Sequence, residues 1–160
     1  MQTSAKSTAD RVQDIPSMVL NVETKQLLLP GVAVAEIIGN AVAEPVESSP
    51  EWFLGWIEWR KLRVPVVSFE RLNGEIMIEG SRRLAVLNNT GVDRERVPFL
   101  AIPIKRIPQL ARVLPGDLRD MADAQLGIAE LAVAVDMQGQ VVAIPNVGVL
   151  EQALADYLGG

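Results

Sequence analysis

The segment that most constrains the fold is WFLGWIEWRKLRVPVV, residues 52–67, which contains every tryptophan of the chain. The tryptophans have the spacing of one helix face, yet Gly55 lies between them and Pro65 prevents a long helix. From Ile57 onwards the residues also alternate with the period of a β-strand. We therefore predict a turn near 52–54, a strand at about 55–60, a reversal at 60–63 and a strand at 64–69. Pro65 predicts that the second strand lies at a sheet edge or begins there.

Short runs rich in Val, Ile and Leu continue on both sides of this segment, separated by Gly, Pro, Asn and Asp clusters. Hairpin turns are predicted at 23–25 and 136–139, and a short strand at 41–46. A short helix is predicted at 32–38, where the apolar residues have helical spacing, and an amphipathic helix at 147–158. Many short strands with little helix predict an all-β sandwich or barrel, and roughly nine or ten strands are enough for two lobes.

The composition excludes several classes of chemistry. The chain has 160 residues, about one domain, and contains neither Cys nor His. Disulfides, thiolate catalysis and Cys-based zinc sites are thereby excluded, and the side chain most used for proton transfer near neutral pH is absent. The net charge of -5, without a basic face, argues against nucleic acid and against anionic membranes.

Residues 1–14 are polar and are predicted to be a short disordered tail, whereas residues 17–158 are predicted to form a single domain. No apolar run approaches the length of about 18 residues that a membrane span needs, so direct membrane insertion is not expected. A cytoplasmic location is predicted.

Carboxylate clusters are the remaining candidates for catalysis. Glu44 with Glu47, and Asp117 with Asp120 and Asp123, lie in polar segments, where a solvated surface is the expected role. Tyr157 lies on the apolar stripe of the last predicted helix and is expected to pack rather than react. We predict a protein that is not an enzyme and that has no catalytic, cofactor-binding or metal-binding residues.

The tryptophans and the cations that follow them leave three interpretations open. Trp is mostly buried in folded proteins, so core packing is the ordinary role. Trp and Arg are also the residues that most often dominate interfaces, so a docking edge on a hairpin is the second interpretation. A small-ligand sensor that uses residues 52–59 as a pocket wall is the third.

Several short motifs, in order, resemble the CheW-like domain family. Leu29-Pro30 followed by Val34-Ala35-Glu36-Ile37 is similar to a segment near the start of these domains. Residues 50–60, with Gly55 and Arg60, and then residues 63–67, with Pro65, are similar to the segments that follow.

The resemblance implies two small five-stranded β-barrels with a hydrophobic core between them. It also implies a non-enzymatic adaptor that couples the cytoplasmic tips of methyl-accepting chemoreceptors to the regulatory domain of a CheA-type histidine kinase. By motif, Val34 and Ile37 would lie toward the receptor groove, and Gly55 and Arg60 would be positions where partner contacts are sensitive to change. We expect Ile57 and Trp59 to face the core and Trp56 to face a partner.

The sequence departs from the family pattern at several positions. Lys61 replaces a usual Gly after the motif arginine, Ser68 replaces an Asp, and Ile104 and Pro145 stand where acidic residues are usual. These departures indicate a divergent accessory adaptor, of the kind found in pathways that control type IV pilus twitching motility. Lys61 is the residue expected to mark what is different about this member.

Overall fold

The computed structural model describes residues 15–77, 83–91, 93–135 and 138–159. Strands dominate this part of the chain, and the predicted tail at residues 1–14 lies outside it. The strands are β1 Ile15–Asn21, β2 Gln26–Pro30, β3 Val34–Ile38, β4 Phe53–Trp59, β5 Leu62–Val67, β6 Arg83–Asn88, β7 Phe99–Ile104, β8 Gln109–Val113, β9 Arg119–Asp120, β10 Glu130–Val135 and β11 Val141–Pro145. The helices are α1 Phe69–Leu72 and α2 Val147–Gly159, and short 3-10 turns cover Gly31–Ala33 and Pro115–Asp117.

The strands form two sheets. The first, here called the terminal lobe, has the order β8-β1-β2-β11-β10-β9, and the second, the central lobe, has the order β3-β6-β7-β5-β4. The predicted all-β, two-lobed CheW-like fold is confirmed, although the terminal lobe has six strands because the two-residue β9 extends it. The hairpin predicted around 23–25 joins β1 to β2, and β10 pairs with β11 as expected. Residues 136–137 of the second predicted turn lie outside the described residues.

In the strands that are buried on both faces, alternate residues face two different cores, as the two-residue period of a strand requires, except where a bulge shifts the register. In β6, Leu84 and Val86 face a core inside the central lobe, whereas Ala85 and Leu87 face a core shared by both lobes. Helix α2 lies against this shared core through its buried leucines, Leu150 and Leu154, and its predicted span is confirmed. A smaller core lies inside the terminal lobe.

The helix predicted at 32–38 is wrong, because residues 34–38 form strand β3 after a 3-10 turn. The pairing of β3 with β6 shifts register between Val34 and Glu36, which is a β-bulge. The extra residue puts Val34 and Ile37 against the shared core and Ala35 and Ile38 against the central-lobe core. A bulged strand therefore has the same apolar spacing of three residues as a helix turn.

A second β-bulge corrects the predictions for the tryptophan segment. Strand β4 begins at Phe53, inside the predicted turn, and its pairing with β5 shifts register between Phe53 and Gly55. As a result, Phe53 and Trp56 pack on the shared core, while Ile57 and Trp59 are buried in the central-lobe core, as expected. Strand β5 begins at Leu62 and ends at Val67, so the predicted strand at 64–69 was placed two residues too late.

Pro65 lies inside the central sheet, between β4 and β7, so its predicted edge position is wrong and β4 is the edge strand. Trp56, which is opposite Pro65, directs both backbone groups away from β5 and toward Glu44, at 2.8 and 3.0 Å. The ladder between β4 and β5 therefore requires no N–H from residue 65. The strand predicted at 41–46 is reduced to this single bridge at Glu44.

Three of the departures from the family pattern have structural roles. Buried Ser68 caps α1, because its Oγ accepts a hydrogen bond from the backbone N–H of Arg71 at 3.1 Å. Aspartate, the residue that the resemblance led us to expect here, is an equally good N-cap, so either residue can cap α1. Ile104 is buried in the shared core, and Pro145 ends β11 opposite Glu130.

Candidate partner-binding site

The hairpin between β4 and β5 ends in a two-residue turn made of Arg60 and Lys61. Trp59 pairs with Leu62 on either side of the turn, and Arg60 and Lys61 have φ values of 50° and 63°. Two successive positive φ values are typical of a type I′ turn, which matches the twist of the flanking strands. Both side chains are exposed, so the turn presents two cations to the solvent.

Arg60 connects this turn to strand β3. Its Nη2 atom lies 2.8 Å from Oε1 of Glu36, and its guanidinium carbon lies 4.4 Å from the centre of the Trp59 ring. The side chains of Arg60 and Glu36 are 63% and 39% exposed, so the ion pair contributes at most about 1 kcal/mol to stability. Its main effect is to orient the guanidinium across the gap between the first and last strands of the central sheet.

A groove of about 580 Å³ follows this gap, and we call it the seam groove. Its walls come from β3, from the connection after β3 and from β4; they are Glu36, Ile38, Gly39, Asn40, Ala41, Val42, Glu44, Trp56, Ile57, Glu58, Trp59 and Arg60. The groove contains exposed Val42 beside carboxylates and a guanidinium, which is the mixed character of a protein interface. Within the described residues, the bridge from Glu44 is the only pairing on the open side of β4.

Gly55 holds the floor of the seam groove in place. It has a φ of +123°, and a Cβ atom built on it would lie 2.0 Å from the carbonyl oxygen of Glu44. Glycine therefore allows the backbone of residue 44 to approach closely enough to bond to Trp56. Gly55 itself is buried, so it could affect partner binding only through the shape of the groove. Its effect on partner binding stays a prediction.

The predicted partner-binding residues fall into two groups. Trp56 and Arg60 line the seam groove, and Lys61 extends from the turn at its end. Val34 and Ile37 are half-buried and pack against the shared core, on the other face of β3. Their contact with a receptor stays a prediction. The sequence analysis assigned no role to Glu36, the ion-pair partner of Arg60. Its position within the Val34–Ile37 motif could have indicated one.

A second polar cluster, the interlobe network, connects the two lobes away from the seam groove. Nζ of Lys25 lies 2.6 Å from Oε2 of Glu75 and 3.1 Å from Oε2 of Glu130. Oε1 of Glu130 accepts hydrogen bonds from Asn73 Nδ2 at 3.0 Å and from the backbone N–H of Gly127 at 2.8 Å. Terminal-lobe residues Lys25 and Glu130 are thereby connected to the segment that follows β5.

Burial and hydrogen bonding act in opposite directions on the charges of this network. Burial alone would lower the pKa of Lys25, but its hydrogen bonds to Glu75 and Glu130 outweigh burial and raise that pKa. Burial alone would raise the pKa of Glu130, but hydrogen bonds from Asn73, Gly127 and Lys25 lower it. Nearby Glu70 is also buried, and burial raises the pKa of its carboxyl group above the usual value.

The carboxylates considered for catalysis lie on the surface. Glu44, Glu47, Asp120 and Asp123 are exposed, and Asp117 accepts a hydrogen bond from the backbone N–H of Leu114 at 2.9 Å. The described ranges contain no cluster of three or more acidic residues able to hold a metal ion. Tyr157 packs against Trp52 and Phe53, with ring centres at 5.9 and 4.9 Å.

No helix within the described ranges has both the length and the apolar character needed to cross a membrane.

Comparisons with known proteins agree with this architecture. The model of the CheW-like domain family matches residues 16–154. The crystal structure of the scaffolding protein TtCheW from Thermoanaerobacter tengcongensis is similar, with a TM-score of 0.67 and 13% identity over 82% of this chain and 88% of that chain. At this identity the likeness shows the fold alone, and no curated protein matches the sequence. Because the family model spans well over half of its residues, the chain belongs to the CheW-like domain family.

Proposed function

We propose that this protein is a non-enzymatic cytoplasmic adaptor that couples chemoreceptor signalling tips to a CheA-type histidine kinase. Its family supports a role as a chemotaxis scaffold or adaptor. The observation that carries the proposal further is the seam groove, where an oriented Arg60 and half-buried Trp56 border an open sheet edge. Residues 17–158 act as one unit in this proposal.

The chemistry of the seam groove supports binding of a protein rather than turnover of a substrate. Arg60 is held by Glu36 with much of its surface free, and half-buried Trp56 lines the same groove. One desolvated aromatic or Arg side chain contributes more to an interface than several small contacts. The exposed edge of β4 adds backbone groups that a partner strand or loop can use.

The test is a pull-down of the purified chain with two baits, a chemoreceptor signalling tip and a kinase regulatory domain. Val42→Asp places a charge at the rim of the seam groove, where residue 42 is 75% exposed, so it should weaken one of the two interactions without unfolding the protein. Ile76→Asp is the matched control, because residue 76 is 79% exposed and does not line this groove. If the folded protein binds neither bait, the adaptor proposal is wrong.

The departures at Lys61, Ile104 and Pro145 support an accessory role within a specialised pathway. Lys61 adds a second charge to the turn where the family usually has Gly, which would change partner choice more than fold. A pathway that controls type IV pilus twitching motility is our specific proposal. Deleting the gene should then impair surface twitching and leave swimming unchanged, whereas the reverse phenotype would contradict the assignment.

The alternative of a small-ligand sensor remains testable at the same place. Trp56 and Trp59 line the seam groove, although Trp59 is buried, and the groove is broad and open to solvent. Its form fits a protein segment better than an enclosed small molecule, because ligand pockets usually bury most of their ligand. A saturable change in tryptophan fluorescence with a small metabolite would favour the sensor.

A further inference from the structure

A second, smaller cleft lies where the β4–β5 hairpin meets the end of α2. Its volume is about 240 Å³, and its lining residues are Trp56, Arg63, Pro65, Arg96, Val97 and Leu158. We call it the helix cleft. It lies below the size of ordinary small-molecule pockets, which begin near about 300 Å³, so it suits one large side chain better than a whole ligand.

The walls of the helix cleft are apolar. Pro65 and Val97 are buried, while Trp56 and Leu158 are half-buried and keep part of their surface in the opening. Phe53 packs edge-on against Trp56, with ring centres 5.6 Å apart, and keeps the indole in position. An apolar side chain that enters would therefore meet preformed walls and would cover surface that is now in contact with water.

Two guanidinium groups stand at the rim. The guanidinium carbon of Arg63 lies 4.5 Å from the centre of the Trp56 ring. Arg96 pairs with Asp93, and its Nη2 atom donates to the carbonyl oxygen of Ala155 at 3.4 Å. Each guanidinium has five N–H donors, so both retain donors for an incoming acceptor.

Arg63 has more guanidinium N–H donors free for a partner than Arg96 has. Glu58 is directly opposite it in the β4–β5 register, yet the two form no ion pair. Within the described ranges, the stacking on Trp56 is the interaction that the structure gives its guanidinium. A planar guanidinium held on an aromatic face is well oriented to bind a carboxylate through two parallel hydrogen bonds.

We propose that the helix cleft docks an acidic peptide segment of a partner protein, with one apolar side chain between Trp56 and Leu158 and a neighbouring carboxylate on Arg63. Charge complementarity selects this occupant, because paired guanidinium groups beside an apolar slot match an apolar residue flanked by acids. Nucleic acid and anionic membrane need a wide basic surface, whereas the helix cleft offers only two guanidinium groups among its lining residues. The proposal does not depend on the receptor and kinase assignment.

The experiment uses the full chain and a dye-labelled, acetylated peptide with one phenylalanine flanked by two glutamates on each side. Fluorescence anisotropy should show saturable binding to the wild type. Arg63→Gln should weaken binding at least fivefold, because it removes the charge that the carboxylate contacts. Arg119→Gln is the control: it removes an exposed guanidinium from β9, which lines neither the helix cleft nor the seam groove, and should leave binding within twofold.

Two further peptides make the result specific. Replacing the phenylalanine with glycine, or the glutamates with lysines, should each reduce binding at least fivefold. Equal binding of all three peptides, equal binding by the Arg63 variant, or no saturable binding at millimolar peptide would each overturn the proposal. Circular dichroism of each variant shows that it is folded, and the outcome is independent of whether the receptor tip or kinase domain binds.

Discussion

The carbonyl oxygen of Glu44 occupies the space that any side chain on Gly55 would need, since a Cβ there would lie only 2.0 Å away. Because Gly55 has no side chain, Glu44 can form its two backbone hydrogen bonds with Trp56. This pairing covers part of the open side of β4. Glycine at this position therefore shapes the seam groove from inside the sheet.

Gly55→Ala should destabilise the protein by about 3 kcal/mol or more, because the φ of +123° and the contact with Glu44 both oppose a methyl group. Urea denaturation measures the change. Gly74→Ala, with a φ of +81° and open space, should lose only about 1–2 kcal/mol. Gly39→Ala, with no positive φ and nothing within 4 Å, should be close to neutral. Equal losses in all three would exclude the steric explanation.

Lys61→Gly should stabilise the protein by about 0.5–1 kcal/mol, because Lys61 now pays the cost of a left-handed conformation at φ 63°. If the charge of Lys61 takes part in partner binding, the same change should also weaken that binding. Lys61→Ala is the control, since it removes the charge but keeps the strained conformation. A glycine variant no more stable than the alanine variant would show that the turn carries no strain.

The two-lobed β architecture was predictable because strand runs and turn residues alternate along the whole chain. The helix wrongly predicted at 32–38 and the wrong start of β4 have one cause. In β3 and in β4 a bulge inserts one residue, so Val34 with Ile37, and Phe53 with Trp56, acquire the spacing of a helix face while staying in strands. A bulge is selected by pairing with a distant strand, which local periodicity does not reveal.

The candidate site was predictable only in part. Arg60 was named from the motif and Trp56 from the tryptophan segment, but the pairing of Arg60 with Glu36 joins positions 24 residues apart in the sequence. The interior position of Pro65 depends on the bridge between Trp56 and Glu44, which turns the backbone of Trp56 away from β5. Contacts of this kind come from the closure of the central sheet and leave no local signature.

Arg60→Ala should weaken partner binding and leave the melting temperature nearly unchanged. The ion pair with Glu36 is exposed, so its loss should cost less than about 1 kcal/mol. Pull-down efficiency and thermal denaturation measure the two effects. Glu36→Gln serves as the comparison, because it frees the guanidinium without removing it. A fall in melting temperature of many degrees in the alanine variant would make Arg60 a structural residue.

Glu130, in the interlobe network, and nearby Glu70 should have opposite effects on the pH dependence of the free energy of unfolding. The pKa of Glu130 is lowered in the folded protein, so its contribution is present above the unfolded-state value near 4.5 and is lost as pH falls through the folded value. Burial raises the pKa of Glu70, so the folded state favours its protonated form, and this contribution is lost as pH rises through the raised value.

Glu130→Gln should therefore cost about 2 kcal/mol at neutral pH, because a carboxamide nitrogen would face the ammonium group of Lys25. In the wild type, the backbone N–H of Glu23 donates to the carboxylate of Glu70 at 2.9 Å. Glu70→Gln should stabilise the protein at neutral pH, because it removes a buried charge and the carboxamide oxygen of the glutamine can still accept this hydrogen bond. Urea denaturation between about pH 4 and pH 8 compares the variants with the wild type. Both differences should shrink toward the acid end, and differences of the same sign at neutral pH would contradict the opposite shifts of the two carboxyl groups.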